Sequence, residues 1–391
     1  MQQGCVELLA LALYAPVIVL IHELGHALAA RPGGYRLTSF GIGLGTPLWS
    51  IYLRSGVVLH LDRWLLAGGA ATAIPTGPVT ARRAWFHSGG LLAQAALGLA
   101  LGVLPDPWPL DRLAQFNLLV AITNALPWRW GGQSSDGWLL LDTLTGGRGG
   151  SSVLHQRRGL ARMARREASV GSPLGRVYSE VCLAWADVLA GRPEAAEALL
   201  RDEPPEATLE PWVDALYHYV CSEHHRTAGR PLEALLVARR ARSFDRMADE
   251  GIALLSVAEA RALVDLGATE QATSALARLA GIGGAVGAQA AVVLLWASLA
   301  SDQPDDVELA TWRLHRHAPG PWLDPADAIL ALRRSAQRLQ QLGRPRAAAG
   351  AVQAADGLEH RALTALAEGD RSPFRARLAS SDPCPPRSIR T

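Results

Sequence analysis

The chain has 391 residues, 49% of them apolar, with 38 basic and 36 acidic side chains and a formal charge of +2. That length calls for two or three domains, and the near-zero charge balance excludes a dedicated nucleic-acid binder. Charged residues are only 19% beside abundant Leu, Ala and Val, which excludes a disordered chain. A mean hydropathy of +0.11 is high for a soluble protein and low for one embedded in a membrane throughout, so a membrane part joined to a soluble part is predicted. Every basic residue is Arg, as GC-rich bacterial coding favours. The cysteines Cys5, Cys182, Cys221 and Cys384 have no paired spacing, so neither a zinc knuckle nor a disulfide framework is expected.

The first predicted element is a membrane span over about residues 6–30, where LLALALYAPVIVLI (8–21) carries no charge. About 20 apolar residues cross a bilayer. A signal peptide fits poorly, because there is no basic leader and the apolar run leads straight into His-Glu-Leu-Gly-His. Residues 35–66 are rich in Gly, Leu, Ile, Val and Trp and predict short strands with tight turns. Further spans are predicted over 88–104 and over 111–127, the last bearing Gln115, Asn117 and Asn124. Arg31, Arg36, Arg54, Arg63, Arg82 and Arg83 lie between the first two spans, whereas the loop after the second holds only Arg112. The positive-inside rule therefore places the strand segment, and the chain after the third span, in the cytoplasm.

Residues 146–170 read as a linker, 171–370 as helical repeats and 371–391 as a flexible tail. Phrases such as DVLAGRPEAAEALL and RTAGRPLEALLVARRA recur, and Gly191, Gly229, Gly267 and Gly343 are spaced by 38, 38 and 76 residues. Helix, short turn and helix at such a period describe an α-solenoid. The small-residue pattern resembles tetratricopeptide repeats, at a longer period and without their full signature.

The chemistry concentrates at His22-Glu23-Leu24-Gly25-His26. Positions i and i+4 share one face of a helix, so two imidazoles can reach one zinc ion, with Glu23 beside them as a base. Ionisable groups at membrane depth are costly and mark function. A catalytic zinc site needs a third protein ligand, and Asp136 before Gly137 is the best placed. Asp62 and Asp142 are rival carboxylates; His60 and His87 are rival imidazoles.

With these parts in order, the chain resembles the site-2 protease family of intramembrane zinc metalloproteases over about residues 8–145. The resemblance rests on HELGH (22–26), FGIGLGTPLWS (40–50), ARRAWFHSGGLLAQ (81–94), Asn117, Asn124-x-x-Pro127 and Asp136-Gly137. It implies His22, His26 and Asp136 as ligands of one zinc ion per chain, Glu23 as catalytic base, and Asn124 and Asn117 as substrate-positioning residues. One departure stands out: eight residues, Trp128 to Ser135, separate the Pro from the Asp-Gly, where the family commonly has four.

The fold expected is mainly α: a polytopic three-helix metalloprotease core (1–145) with a small cytoplasmic β-hairpin segment, followed by a soluble α-solenoid. The function expected is intramembrane cleavage of a single-span membrane protein or peptide in a bacterial inner membrane, with a protein partner docked on the cytoplasmic repeats. The alternative is a catalytically inactive, membrane-anchored solenoid scaffold.

Overall fold

The computed structural model describes residues 2–77, 81–103, 110–130, 133–145, 153–200, 210–244, 249–276, 279, 284–300, 303–316, 323–366 and 368–380. The chain divides into two units: Met1–Thr145 with Gly159–Ser179, and Gly146–Arg158 with Glu180–Thr391.

In the first unit, α1 (Gln2–Ala30) is followed by two long antiparallel strands, β1 (Tyr35–Tyr52) and β2 (Val58–Pro75). Both strands bend. Residues 35–42 lie beside 69–75, and 39–42 lie also beside 58–61, while 47–52 pair with 58–62. The bends fall at Gly43, Gly45 and Gly68, whose positive φ values of 93°, 101° and 130° suit glycine alone. The sheet thus runs on to Pro75, beyond the expected end at residue 66. The extra stretch, GGAATAIP, has little β propensity of its own; pairing with Tyr35–Ile42 supplies what its side chains lack.

Three helices complete the core: α2 (Arg83–Gly102), α3 (Leu110–Ala125) and the short α4 (Asp136–Leu144). Only one helical stretch, Ala12–Ala30 with mean hydropathy 1.5, is long and apolar enough by itself to cross a membrane among the described residues. Helices α1 and α2 cross with their backbones touching, because a Cβ on Gly25 would strike the Gly89 carbonyl and one on Gly89 would strike Gly25. Such small-residue crossings let helices approach closely. Ile18, Leu101 and Leu113 join α1, α2 and α3 in a small apolar cluster.

Residues 153–170, expected as a linker, form helix α5 (Val153–Val170). Its Glu167 is fully buried and accepts hydrogen bonds from the hydroxyls of Ser39 (2.8 Å) and Thr38 (3.3 Å). The neighbouring Arg166 reaches Asp62 Oδ2 at 3.3 Å and His60 Nε2 at 3.4 Å. His60 Nδ1 donates to Asp62 Oδ1 (3.0 Å), and burial followed by the Arg166 charge holds this imidazole below its ordinary value.

In the second unit, helices α6 (Pro173–Leu189) to α15 (Pro345–Ala365) follow one another as pairs. The turns at Gly191, Gly229, Gly267 and Gly343 share one construction. Each glycine has φ between 74° and 80°, and the residue after it donates back into the helix, as Arg192 to Asp187 O and Arg230 to His225 O. This is the glycine-terminated helix end, and Pro193, Pro231 and Pro345 then start the next helix where no donor is needed. Helices α8 (Pro211–Thr227), α10 (Asp249–Asp265) and α14 (Pro325–Gln341) meet at a buried ionic cluster. Arg261, nearly fully buried, bonds Glu223 at 2.9 Å and also Asp327. Residues 368–380, expected within or beside the tail, form α16 (Glu368–Ser380), where Phe374 is fully buried and Arg377 bonds Asp324 and, at 3.1 Å, the Leu189 carbonyl. The rest of the expected tail, 381–391, lies outside the described residues.

Candidate metal centre

His22 and His26 lie one turn apart on the buried face of α1. Asp136 opens α4, and its Oδ2 stands 3.0 Å from His22 Nε2 and 3.3 Å from His26 Nε2. The two Nε2 atoms are 3.1 Å apart. The three atoms therefore make a near-equilateral triangle. A tetrahedral ion with bonds of about 2.0–2.1 Å has ligand atoms about 3.3 Å apart.

The protonation pattern makes the case stronger. His26 Nδ1 lies 2.7 Å from the Phe86 carbonyl, which can only accept, so this nitrogen carries the proton. His22 Nδ1 is 3.1 Å from Gln94 Oε1 and donates to it. Neutral imidazoles then present Nε2 lone pairs, which converge with a carboxylate oxygen. Three acceptors at this spacing repel one another unless a cation lies among them. Gly90 leaves the space: a Cβ there would stand 2.6 Å from His26 Nε2 and 2.7 Å from His22 Nδ1. The donor set of two imidazoles and one carboxylate suits zinc with a fourth position left for water or substrate.

Glu23, half-buried, shares the α1 turn with His22 and His26 and faces the sheet. Gly69 packs against its side-chain stem, and the Ala71 backbone N–H is directed at its carboxylate.

The long loop before Asp136 folds out of the way. Strands β3 (Arg129–Trp130) and β4 (Gln133–Ser134) pair as a small hairpin. Ser135 closes its base: its hydroxyl donates to Leu126 O (2.6 Å) and accepts from the N–H of Trp128 (3.1 Å) and of Trp138 (3.1 Å). The Ser135 N–H also bonds Trp128 O at 3.1 Å. The additional residues are thus bridged at their base, and Asp136 starts its helix beside α3. Gly137 fits there because any Cβ would collide with the Ala125 carbonyl.

The remaining residues singled out in the sequence lie around this centre or elsewhere in the unit. Asn117 is buried between α2 and α3, donating to the Gln94 carbonyl at 2.7 Å. Asn124 is half-buried on the last turn of α3 and makes no hydrogen bond among the described residues. Asp62 and His60 belong to the contact with α5. His87 packs edge-on against Phe86 and Tyr35, and Asp142 lies further along α4. The contributions of Gln94, Gly90 and Ser135 are nonlocal. The Gly89-Gly90 pair and an apolar span holding a lone Gln were their only signals in the sequence.

Residues 9–104 match the family model described as Peptidase family M50. No curated protein matches the chain. The matched segment holds both histidines, Glu23, the sheet and α2, while Asp136 lies beyond it. Over residues 9–104 the chain is thus similar to peptidase family M50, the site-2 protease family, a similarity that implies a membrane metalloprotease.

Proposed function

We propose that the protein is a membrane-embedded zinc metalloendopeptidase that cleaves a single-span membrane protein or peptide within or near the bilayer. The observation that carries this reading is the convergence of His22 Nε2, His26 Nε2 and Asp136 Oδ2 at 3.0–3.3 Å, with Glu23 on the same helical turn. His22, His26 and Asp136 would hold zinc, which would supply Lewis acidity and lower the pKa of a water enough for it to be deprotonated near neutral pH. Glu23 takes the proton of the attacking water as its oxygen bonds the scissile carbonyl carbon. The carboxylic acid then returns that proton to the amine as the C–N bond breaks. Asn124, half-buried on the last turn of α3, is the residue we assign to hold the substrate carbonyl.

The surface supports a multi-pass placement. Leu13, Val17, Leu20, Leu24 and Leu28 of α1 face outwards, as do Leu92 and Leu99 of α2 and Leu118, Leu119 and Ile122 of α3. The polar residues His22, His26, Gln94 and Asn117 are turned inwards. An apolar exterior around a polar interior suits lipid. Leu48, Trp49, Ile51 and Tyr52 are exposed on both faces of one sheet segment, as a membrane-surface cap requires. A transmembrane helix hides its peptide bonds, so a substrate must present an extended segment. Residues 69–75 form a sheet edge that runs past Glu23, suited to pairing with such a segment.

The helical unit serves as the cytoplasmic docking module. Leu232 and Leu236 stand exposed one turn apart on α9 (Pro231–Arg242), as partner anchors would.

The test is cleavage of a membrane-peptide substrate by the purified full chain in detergent or lipid. The wild type is expected to cleave. Glu23→Gln is expected to retain zinc and lose cleavage. Equal cleavage by both would overturn the assignment.

A further inference from the structure

We infer that Gln94 is a positioning residue that orients His22 for metal binding, and that Asn117 holds Gln94 in place from the neighbouring helix. The inference rests on the metal-centre reading above and adds residues outside the ligand set. Gln94 is fully buried in α2, and its Oε1 lies 3.1 Å from His22 Nδ1. Its amide nitrogen has no partner among the described residues, so the bond to His22 is what its side chain is seen to make there. The Asn117 Nδ2 donates to the Gln94 backbone carbonyl at 2.7 Å, and Asn117 is itself almost fully buried.

The chemistry follows from the two nitrogens of imidazole. A neutral His22 presents a lone pair at Nε2 only while Nδ1 carries the proton. An acceptor at Nδ1 fixes that tautomer and the ring's rotation. The Phe86 carbonyl does this for His26 and cannot be removed by side-chain substitution. Gln94 does it for His22 with a side chain, so this half of the centre is open to mutation. The Asn117 bond ties a helix that carries no metal ligand to the same relay.

The test is zinc affinity of the purified full chain, measured by competition with a chromophoric chelator, with the visible spectrum of the Co²⁺-loaded protein as a second readout. Gln94→Leu is expected to weaken zinc binding by about 10–100-fold and to alter the Co²⁺ spectrum. Gln94→Glu, which keeps an acceptor at Nδ1, is expected to restore both. Gln94→Asn withdraws the amide oxygen by one methylene and is expected to weaken binding like Gln94→Leu; it carries the test if the leucine variant fails to fold. Asn117→Ala is expected to weaken zinc binding less than Gln94→Leu does. Wild-type affinity in a folded Gln94→Leu or Gln94→Asn protein, with only thermal stability reduced, would overturn the inference. Failure of wild-type protein to bind zinc would instead overturn the metal-centre reading itself, before any variant is compared.

Discussion

Replacing Ser135 by Ala removes the hydroxyl that closes the hairpin before Asp136. Three hydrogen bonds go with it: to Leu126 O at 2.6 Å, and from the N–H of Trp128 and of Trp138 at 3.1 Å each. The bond from Trp138 is the N-cap of α4, and loss of such a cap costs about 1 kcal/mol. The other two are worth about 1 kcal/mol each. Ser135 is buried, so water does not freely replace them. The whole loss is about 2–3 kcal/mol. It falls on the segment that carries Asp136, which no longer starts its helix from a fixed point. If all of it reaches the metal centre, zinc affinity drops by about 30- to 150-fold, at about 1.4 kcal/mol per tenfold. Chelator competition on the purified chain measures this. Ser135→Thr keeps the hydroxyl and is expected to stay within a few-fold of wild type. Unchanged zinc affinity in Ser135→Ala would refute the claim that this hydroxyl returns Asp136 to the centre.

Other predictions follow from single contacts. Gly90→Ala places a methyl 2.6 Å from His26 Nε2, so metal binding is expected to be lost while the helical content by circular dichroism persists; normal zinc content would contradict this. Arg261→Met removes the guanidinium that bonds both Glu223 and Asp327 and leaves them only Arg226 as a common cation, and denaturant unfolding should show a loss of about 2–3 kcal/mol, short of the full cost of an uncompensated buried charge; a loss below about 1 kcal/mol would mean the ionic cluster is not structural. For pH, burial raises the Asp327 carboxyl, but Arg261, Arg226 and Arg377 outweigh it and hold it below the ordinary value of 3.8. A folded value below the unfolded one means the stabilisation is complete above the unfolded value and is lost as pH falls through the folded one. Thermal melts should therefore fall steeply below about pH 4, and Asp327→Asn should flatten that fall.

How far the molecule was legible in its sequence depended on whether the signal was local. HELGH declares itself because four residues span one helical turn, and the turn glycines of the second unit declare themselves because a left-handed helix end tolerates little else. Residues 67–75 gave no strand signal, since their Ala and Gly side chains carry no preference and the pairing comes from Tyr35–Ile42. Helix α5 read as a linker because its many arginines look like a solvated stretch; what docks it is Glu167 meeting Ser39 and Thr38, more than 120 residues away in sequence. Helix α16 was hidden by Pro373, which argues against a helix locally, while the burial of Phe374 is a tertiary fact. In the candidate site, the two histidines are legible from their spacing, and Asp136 is legible only as a position. The eight-residue spacing looked like an obstacle until the small hairpin showed how the chain closes at Trp128 and Ser135.

The most direct test of the account is the zinc content of the purified full chain, compared with that of Asp136→Ala. Wild-type protein is expected to hold about one zinc per chain, as one set of three convergent ligand groups with an open fourth position requires, and the variant far less. Folded wild-type protein that holds no zinc, or a variant that holds as much as the wild type, would contradict it.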